Sequence, residues 1–404
     1  MIELHIPEGI NYECTGCGKC CSGWAVPMTQ DDYERISAAD WSSLHESFGT
    51  RTLFRQLSKR ETQDTPYTHK IVSDTGVCPF LVDNLCHMHS KHGAEFKPSI
   101  CQLFPYCFSE TPSGIYATVS FVSAGVIYNS GKPLLEQRDY LEGKWQEFRK
   151  MYPDYKPDWS HTKLTVDQPI AWEEYLVIEN RLLAELSDGS RPLEHRMLAC
   201  SQYLMSQVKR AGAPATAADT TLPEAGARLS MDPLNAIDKS LLLTFQRMYY
   251  PVKQLKRGEG DFRIPAFLQQ HFFGGKSWPL AKQAFKLDEL QVMNWPEDDK
   301  EINGILERYV YSYVFGKKYF GAGFGQVSVI AGFHHLVLIL ALIKLQSKAS
   351  ARARGGTVNL LDVATTVRQT ERQVGESKLG GYAAAAWELF LFPPGRARRL
   401  LGNS

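Results

Sequence analysis

Beyond Pro133, apolar residues recur at three- and four-residue spacings through most of the chain. This period predicts helices over 134–151, 170–186, 193–209, 233–250, 278–294, 298–315, 326–346, 359–373 and 380–391. Ahead of Pro133 the texture is different: Cys, Gly, Pro and aromatic residues crowd together without long periodic runs. Alternating β-branched residues predict short strands there, over 69–73 and 115–122. The segment 30–57 reads as a helix, capped by Thr29 and carrying Asp31, Asp32 and Glu34 in its first turn. Between two of the predicted helices runs AGAPATAADTTLPEAGARLS, poor in large apolar residues and read as a flexible loop near 211–231. No fixed-period repeat is visible. The expected architecture is mainly α: a small irregular Cys-rich α+β metal-binding module over 1–130, followed by a helical body over 131–404.

The stretch 327–345 is apolar enough to suggest a membrane span, but Gly332, His334 and His335 interrupt it. It sits at the lower edge of spanning length, and adjacent imidazoles are costly in lipid, so it reads as a buried core helix. The first 13 residues lack an apolar run behind a basic start, which points to a cytoplasmic protein. The 45 basic and 44 acidic residues nearly cancel, so global charge offers no argument for nucleic acid.

Cysteine placement changes the picture most. Eight of the nine cysteines lie between positions 14 and 107. In a chain of 404 residues such clustering reads as ligands or redox groups, not as a disulfide scaffold. The first cluster, CTGCGKCC, sets Cys14, Cys17 and Cys20 at CxxCxxC spacing, with Gly16 and Gly18 allowing the turn angles that point sulfurs inward. Cys21 follows directly. Neighbouring side chains diverge, so Cys20 and Cys21 are expected to serve a metal differently. The second cluster is CPFLVDNLC, in which Asp83 and Asn84 predict a hairpin returning Cys86 toward Cys78, followed by KPSICQLFPYC with Cys101 and Cys107. Two separated clusters meeting at one site is the logic of thiolate zinc sites and of iron–sulfur proteins. The thiols exceed what one tetrahedral ion takes, leaving two sites or a polynuclear cluster. The ferredoxin-like triplet favours iron–sulfur over zinc. The nearby imidazoles of His87, His89 and His92 fit solvent-facing loop positions as well as ligand roles. Cys200, alone on a helical pattern, reads as a buried inert thiol.

At these residues the chain resembles the CxxCxxCC cysteine-cluster family, described as zinc- or iron-chelating. The resemblance rests on CTGCGKCC, CPFLVDNLC and KPSICQLFPY, about the first quarter of the chain. Lys97-Pro98 stands where the family has Arg-Pro, and Cys107 lies outside the pattern. Cys14, Cys17, Cys20, Cys21, Cys78, Cys86 and Cys101 are the expected metal ligands. The helical remainder, with ENRLLAEL over 179–186 and RYVYSYVFGKKYF over 308–320, resembles longer members, the flagellin lysine N-methylase-like proteins. That resemblance implies methyl transfer from S-adenosylmethionine to lysines of a protein substrate such as flagellin.

The residues themselves do not show methyl transfer. A doubly wound methyltransferase needs a Gly-rich turn after a strand and an acid about 20 residues on. Gly321, Gly323 and Gly325 follow a predicted helix, and no Asp or Glu occurs between Glu307 and Asp362. GAGFG therefore reads as a helix-to-helix loop. The CxxCxxC spacing also departs from the CxxxCxxC loop of radical enzymes. The segment 308–361 carries seven Lys or Arg and no acid, which reads as charge pairing with acids elsewhere in the chain. Glu173 and Glu174 read as solvated. Two classes stay open: a cluster-containing protein-modifying enzyme, and a non-catalytic zinc- or iron-binding protein.

Overall fold

The computed structural model describes residues 3–21, 25–41, 52–63, 65–73, 76–208, 232–250, 277–280, 283–376, 388–393 and 395–404. The loop expected near 211–231 lies outside them. The chain forms two compact units, Met1–Phe108 with Gly114–Lys156 and Ser109–Ser113 with Pro157–Ser404. It is mainly helical, with the small sheets concentrated toward the N-terminus.

In the first unit the order is β1 (Leu4–His5), β2 (Pro27–Met28), α1 (Gln30–Ser37), β3 (Phe54–Gln56), β4 (His69–Ile71), β5 (Leu81–Val82) and β6 (Leu85–Cys86). Then come α2 (His87–His92), α3 (Ser99–Leu103), β7 (Tyr106–Thr111), β8 (Gly114–Val119), α4 (Ala124–Ile127) and α5 (Arg138–Met151). β4 is the centre of one three-stranded sheet, flanked by β2 and β3, and β1–β8–β7 form another in which β1 and β8 run parallel. Of the helix expected over 30–57, Gln30–Ser37 is helical and Phe54–Gln56 is a strand, while 42–51 lie outside the described residues. Thr29 caps the helix, and Asp32 returns the bond to the Thr29 N–H. Just past its end, Trp41 donates its indole N–H to the Ile36 carbonyl at 2.8 Å. Phe54–Gln56 instead pairs with His69–Ile71 as a strand. Val26, Met28, Ile36, Trp41, Phe80 and Met88 form the buried core beneath.

The second unit is built around the helix Val329–Ala353, whose most apolar window is wholly buried. Among the described residues it is the one helix long and apolar enough to cross a membrane. Helices Leu193–Ser206, Ala236–Tyr249, Leu360–Glu376 and Arg396–Gly402 pack on it. Gly332 is required there: a Cβ would stand 1.8 Å from the Tyr319 carbonyl oxygen. The helix expected over 278–294 is not formed. Ser277–Leu280 and Gln283–Lys286 pair as antiparallel strands, and only Leu287–Gln291 is helical. Pro279 disfavours a helix interior, while Trp278 is fully buried and donates to Gln346 Oε1 at 2.7 Å. Of the segment 380–391, residues 388–391 are helical and the rest lie outside the described residues.

Several cations of the basic run over 308–361 meet acids in this unit. Lys317 pairs with Glu179 at 2.9 Å, Lys344 with Glu194, and Arg354 with Asp362. Lys348 donates to the Ser404 carbonyl. His334 bonds Ser201 and the Leu391 carbonyl, and His335 bonds the Tyr249 hydroxyl. Both are satisfied core histidines. Gly321, Gly323 and Gly325 lie in the turn segment between Lys300–Phe315 and Val329–Ala353, as a connecting loop.

Candidate metal centre

Three cysteine-bearing stretches of the first unit, 14–21, 78–86 and the turn at Cys101, converge on one cavity of about 440 Å³. Cys14, Cys17, Cys20, Cys21, Cys78, Cys86 and Cys101 all line it. All seven are free thiols.

The first stretch is a loop ending in the 3-10 turn Lys19–Cys21. Gly16 and Gly18 adopt φ of +63° and +65°, the left-handed region that glycine occupies without a Cβ penalty. Their missing side chains also make room for the second stretch. A Cβ on Gly18 would come within 2.8 Å of Leu81 Cδ2, and one on Gly16 within 3.0 Å of Leu85 Cδ2. The loop thus lies directly against the β5–β6 hairpin. The Cys78 N–H donates to the Cys21 carbonyl at 3.3 Å, joining the two clusters through their backbones.

The hairpin is the predicted one. Asp83 and Asn84 both take positive φ, 51° and 64°, as the two central residues of a tight twisted hairpin turn must. Leu81 then faces Cys86 across the ladder. Cys78 and Cys86 pack against the hydrophobic core together with Cys101.

Cys101 comes from α3, and its delivery depends on Asp32, which the sequence reading placed only as a first-turn acid. The buried Asp32 carboxylate accepts from the Ser99 N–H at 3.0 Å and from the Ser99 hydroxyl at 2.8 Å. Arg35 donates to Asp32 at 2.6 Å and to the Lys97 carbonyl at 3.1 Å. Helix α1 therefore holds the turn that presents Cys101. The Thr29-x-x-Asp32 spacing announces a capping box, but no local signal announces the long-range half of this network.

The remaining predictions divide. His89 lines the cavity, whereas His87 and His92 are not among its lining residues. His92 instead packs on the Trp41 and Phe96 rings. Cys107 on β7 is outside the lining too, its thiol directed at the Pro105 carbonyl. Cys200 is buried between helices and bonds the Leu182 carbonyl. Cys20 and Cys21 both sit on the 3-10 turn Lys19–Cys21, and both line the cavity.

Burial governs the thiol chemistry. It pushes the Cys101 thiol well above its ordinary range and raises Cys78 to about 11, with neighbouring cysteines adding to both. Cys21 is raised chiefly by its hydrogen bond with Cys20, then by burial. Burial and the neighbouring sulfurs thus favour the protonated thiol at Cys21, Cys78 and Cys101. Only a bound cation stabilises several thiolates so close together, and its binding expels their protons. Among the described residues no three His, Cys, Asp or Glu side chains stand about one point closely enough to hold an ion as they are. Seven soft donors on one cavity wall nonetheless match what zinc and iron take.

Residues 13–116 match the CxxCxxCC family. The description of that family is "Putative zinc- or iron-chelating domain". The CxxCxxCC match runs from the residue before Cys14 to the second residue of the β8 pairing, so it takes in all seven lining cysteines. The chain is also similar to an uncharacterised protein of Methanocaldococcus jannaschii, 31% identical over 101 residues, or 24% of this chain and 30% of that relative. The chain thus spans under a third of that relative's length. No solved structure matches the chain.

Proposed function

We propose that the N-terminal unit is a thiolate metal centre that holds zinc or iron through Cys14, Cys17, Cys20, Cys21, Cys78, Cys86 and Cys101. The observation that carries this reading is the gathering of seven thiols, from segments up to 87 residues apart in number (Cys14 to Cys101), around one cavity. The CxxCxxCC match supports zinc or iron as the class of metal. Such a metal would supply the positive charge that the buried sulfurs lack, and with it a cross-link among segments that otherwise share a modest core.

Anaerobic purification followed by metal and acid-labile sulfide analysis tests this. Stoichiometric zinc or iron supports the reading, and a visible band near ~400 nm with sulfide assigns an iron–sulfur cluster. Full-length protein that binds neither metal under reducing conditions overturns it.

The finer expectation, lysine N-methylation of a protein substrate with S-adenosylmethionine, rests on resemblance alone. The described helical body offers no doubly wound sheet for a nucleotide. A calorimetric titration with S-adenosylmethionine decides it: absence of heat and of any stability shift leaves the non-catalytic metal-binding reading.

A further inference from the structure

We propose that the metal-binding unit extends past the cysteines to a seat formed by Gly125, Gly131 and Gln137. This seat grips the strap 11–13 and through it positions the loop that carries Cys14, Cys17, Cys20 and Cys21. The proposal rests on the metal-binding reading above and names residues outside the cysteines on which that centre depends.

The strap is fixed along its whole length. The Leu134 N–H donates to the Ile10 carbonyl at 2.9 Å, and Asn11 pairs with Pro133 as an isolated antiparallel bridge. The Asn11 N–H donates to Asn129 Oδ1 at 2.7 Å, and the Tyr12 N–H donates to the Lys132 carbonyl at 3.1 Å. Gln137 Nε2 closes the seat, donating to the Tyr12 carbonyl at 3.2 Å and to the Lys132 carbonyl at 3.0 Å. The Tyr12 ring stands edge-on to the Tyr106 ring, with 5.5 Å between centroids.

Two glycines let the chain segments approach this closely. A Cβ on Gly125 would stand 2.4 Å from the Glu13 carbonyl oxygen, and one on Gly131 would stand 2.2 Å from Glu13 Cβ. Both distances lie far inside van der Waals contact. Gly131 also takes a φ of +88°, where a side chain is strained. Neither glycine can gain a methyl group unless the strap lifts. Glu13 is bonded to Cys14, and consecutive Cα atoms stay ~3.8 Å apart, so a lifted strap carries Cys14 with it. Ser123, Ala124 and Gly125 line the thiol cavity, as does Tyr12. The same stretch therefore walls the cavity and holds the cysteine loop. It lies beyond residue 116, where the CxxCxxCC match ends, so the working unit is longer than the match.

The test uses the full-length protein, loaded with zinc or with cobalt(II), and the variants Gly125→Ala, Gly131→Ala and Gln137→Met. Gly143→Ala on α5 is the control, because a Cβ there meets nothing within 4 Å. Gln137→Met keeps the length of the side chain and removes its N–H donors. Circular dichroism first establishes that each variant folds, and where a glycine variant does not, Gln137→Met decides. Amide hydrogen exchange at Tyr12 reports the strap in the metal-free protein and should be faster in the seat variants. The same variants should release metal to a chromogenic chelator about tenfold or more faster than wild type, and their cobalt(II) spectrum should change. Gly143→Ala should match wild type in exchange, release and spectrum. A faster-exchanging strap with wild-type release and spectrum overturns the proposal, and so does equal metal loss in Gly143→Ala. Unchanged exchange at Tyr12 in folded Gln137→Met overturns it too. Wild-type protein that binds no metal overturns the reading on which the proposal rests.

Discussion

Asp32 and Ser99 stand 67 residues apart in sequence, yet the buried Asp32 carboxylate accepts both the backbone N–H and the hydroxyl of Ser99. The same carboxylate accepts the Thr29 N–H and the Arg35 guanidinium. One side chain thereby caps α1 and fixes the turn that carries Cys101.

Asp32→Ala removes the N3 half of the capping box and leaves buried donors without their acceptor. The expected loss is about 2–4 kcal/mol of stability in the first unit. Metal affinity should fall by about 10–100-fold, as it does when groups behind metal ligands are removed. Ser99→Ala should fall between the variant and the wild type. Chelator competition at a temperature where both variants remain folded checks the order.

Gly18 and Gly76 separate backbone strain from packing. Both have positive φ, +65° and +76°. A Cβ on Gly76 meets nothing within 4 Å, whereas one on Gly18 meets Leu81 at 2.8 Å. Gly76→Ala should cost about 1–2 kcal/mol, the strain alone. Gly18→Ala should cost more and should also weaken metal binding, because it pushes the cysteine loop off the hairpin. Equal metal affinities in the two variants would show that the loop need not lie on Leu81.

Lys317 and Glu179 form a buried pair at 2.9 Å, with side-chain exposures of 0% and 3%. The Tyr175 hydroxyl also donates to Glu179. Glu179→Gln strands a buried ammonium and should destabilise the second unit by about 3–5 kcal/mol. The double variant Lys317→Met with Glu179→Gln should recover a large part of that loss. Urea midpoints for the four proteins of the cycle give the coupling. Additive losses would show that the two charges do not depend on one another.

His334 and His335 are held neutral in the core. Burial lowers His334 to about 4, against a partly offsetting hydrogen bond to the Leu391 carbonyl, and lowers His335 to about 3. Because the unfolded chain binds these protons near pH ~6.5, the unfolded state takes up more protons as the pH falls. Their contribution is thus fully present above pH ~6.5 and declines progressively toward pH 3–4. Thermal midpoints of wild type and His335→Gln should be furthest apart near neutral pH and approach each other on acidification. A separation that stays constant between pH 7 and 4.5 would show that His335 is not the group responsible.

Much of the local architecture was legible in advance. Asp83-Asn84 predicts the hairpin that returns Cys86, because these residue types tolerate the positive φ that a tight hairpin turn asks for. Thr29 predicts the start of α1. The three-to-four period predicts the helical body, including a buried helix over 326–346 that the fold forms as Val329–Ala353. Where prediction failed at 278–294, a distant partner intervened: the buried Trp278 indole bonds Gln346, and Trp278 sits with Pro279 in a hairpin.

By itself the sequence determined which residues could be metal donors, because thiol spacing and glycine-bearing turns are properties of neighbouring residues. It also determined that the remainder is helical, since that period repeats locally. Only the tertiary structure decided which thiols share a cavity, that Cys107 is not among its lining, and that Asp32 supports Cys101. It alone showed which acids, Glu179 and Glu194 among them, pair with cations of the basic run over 308–361. The physical reason is that such contacts close loops of tens to hundreds of residues. Their stabilisation comes from burial and charge at the meeting point and leaves no periodic trace along the chain.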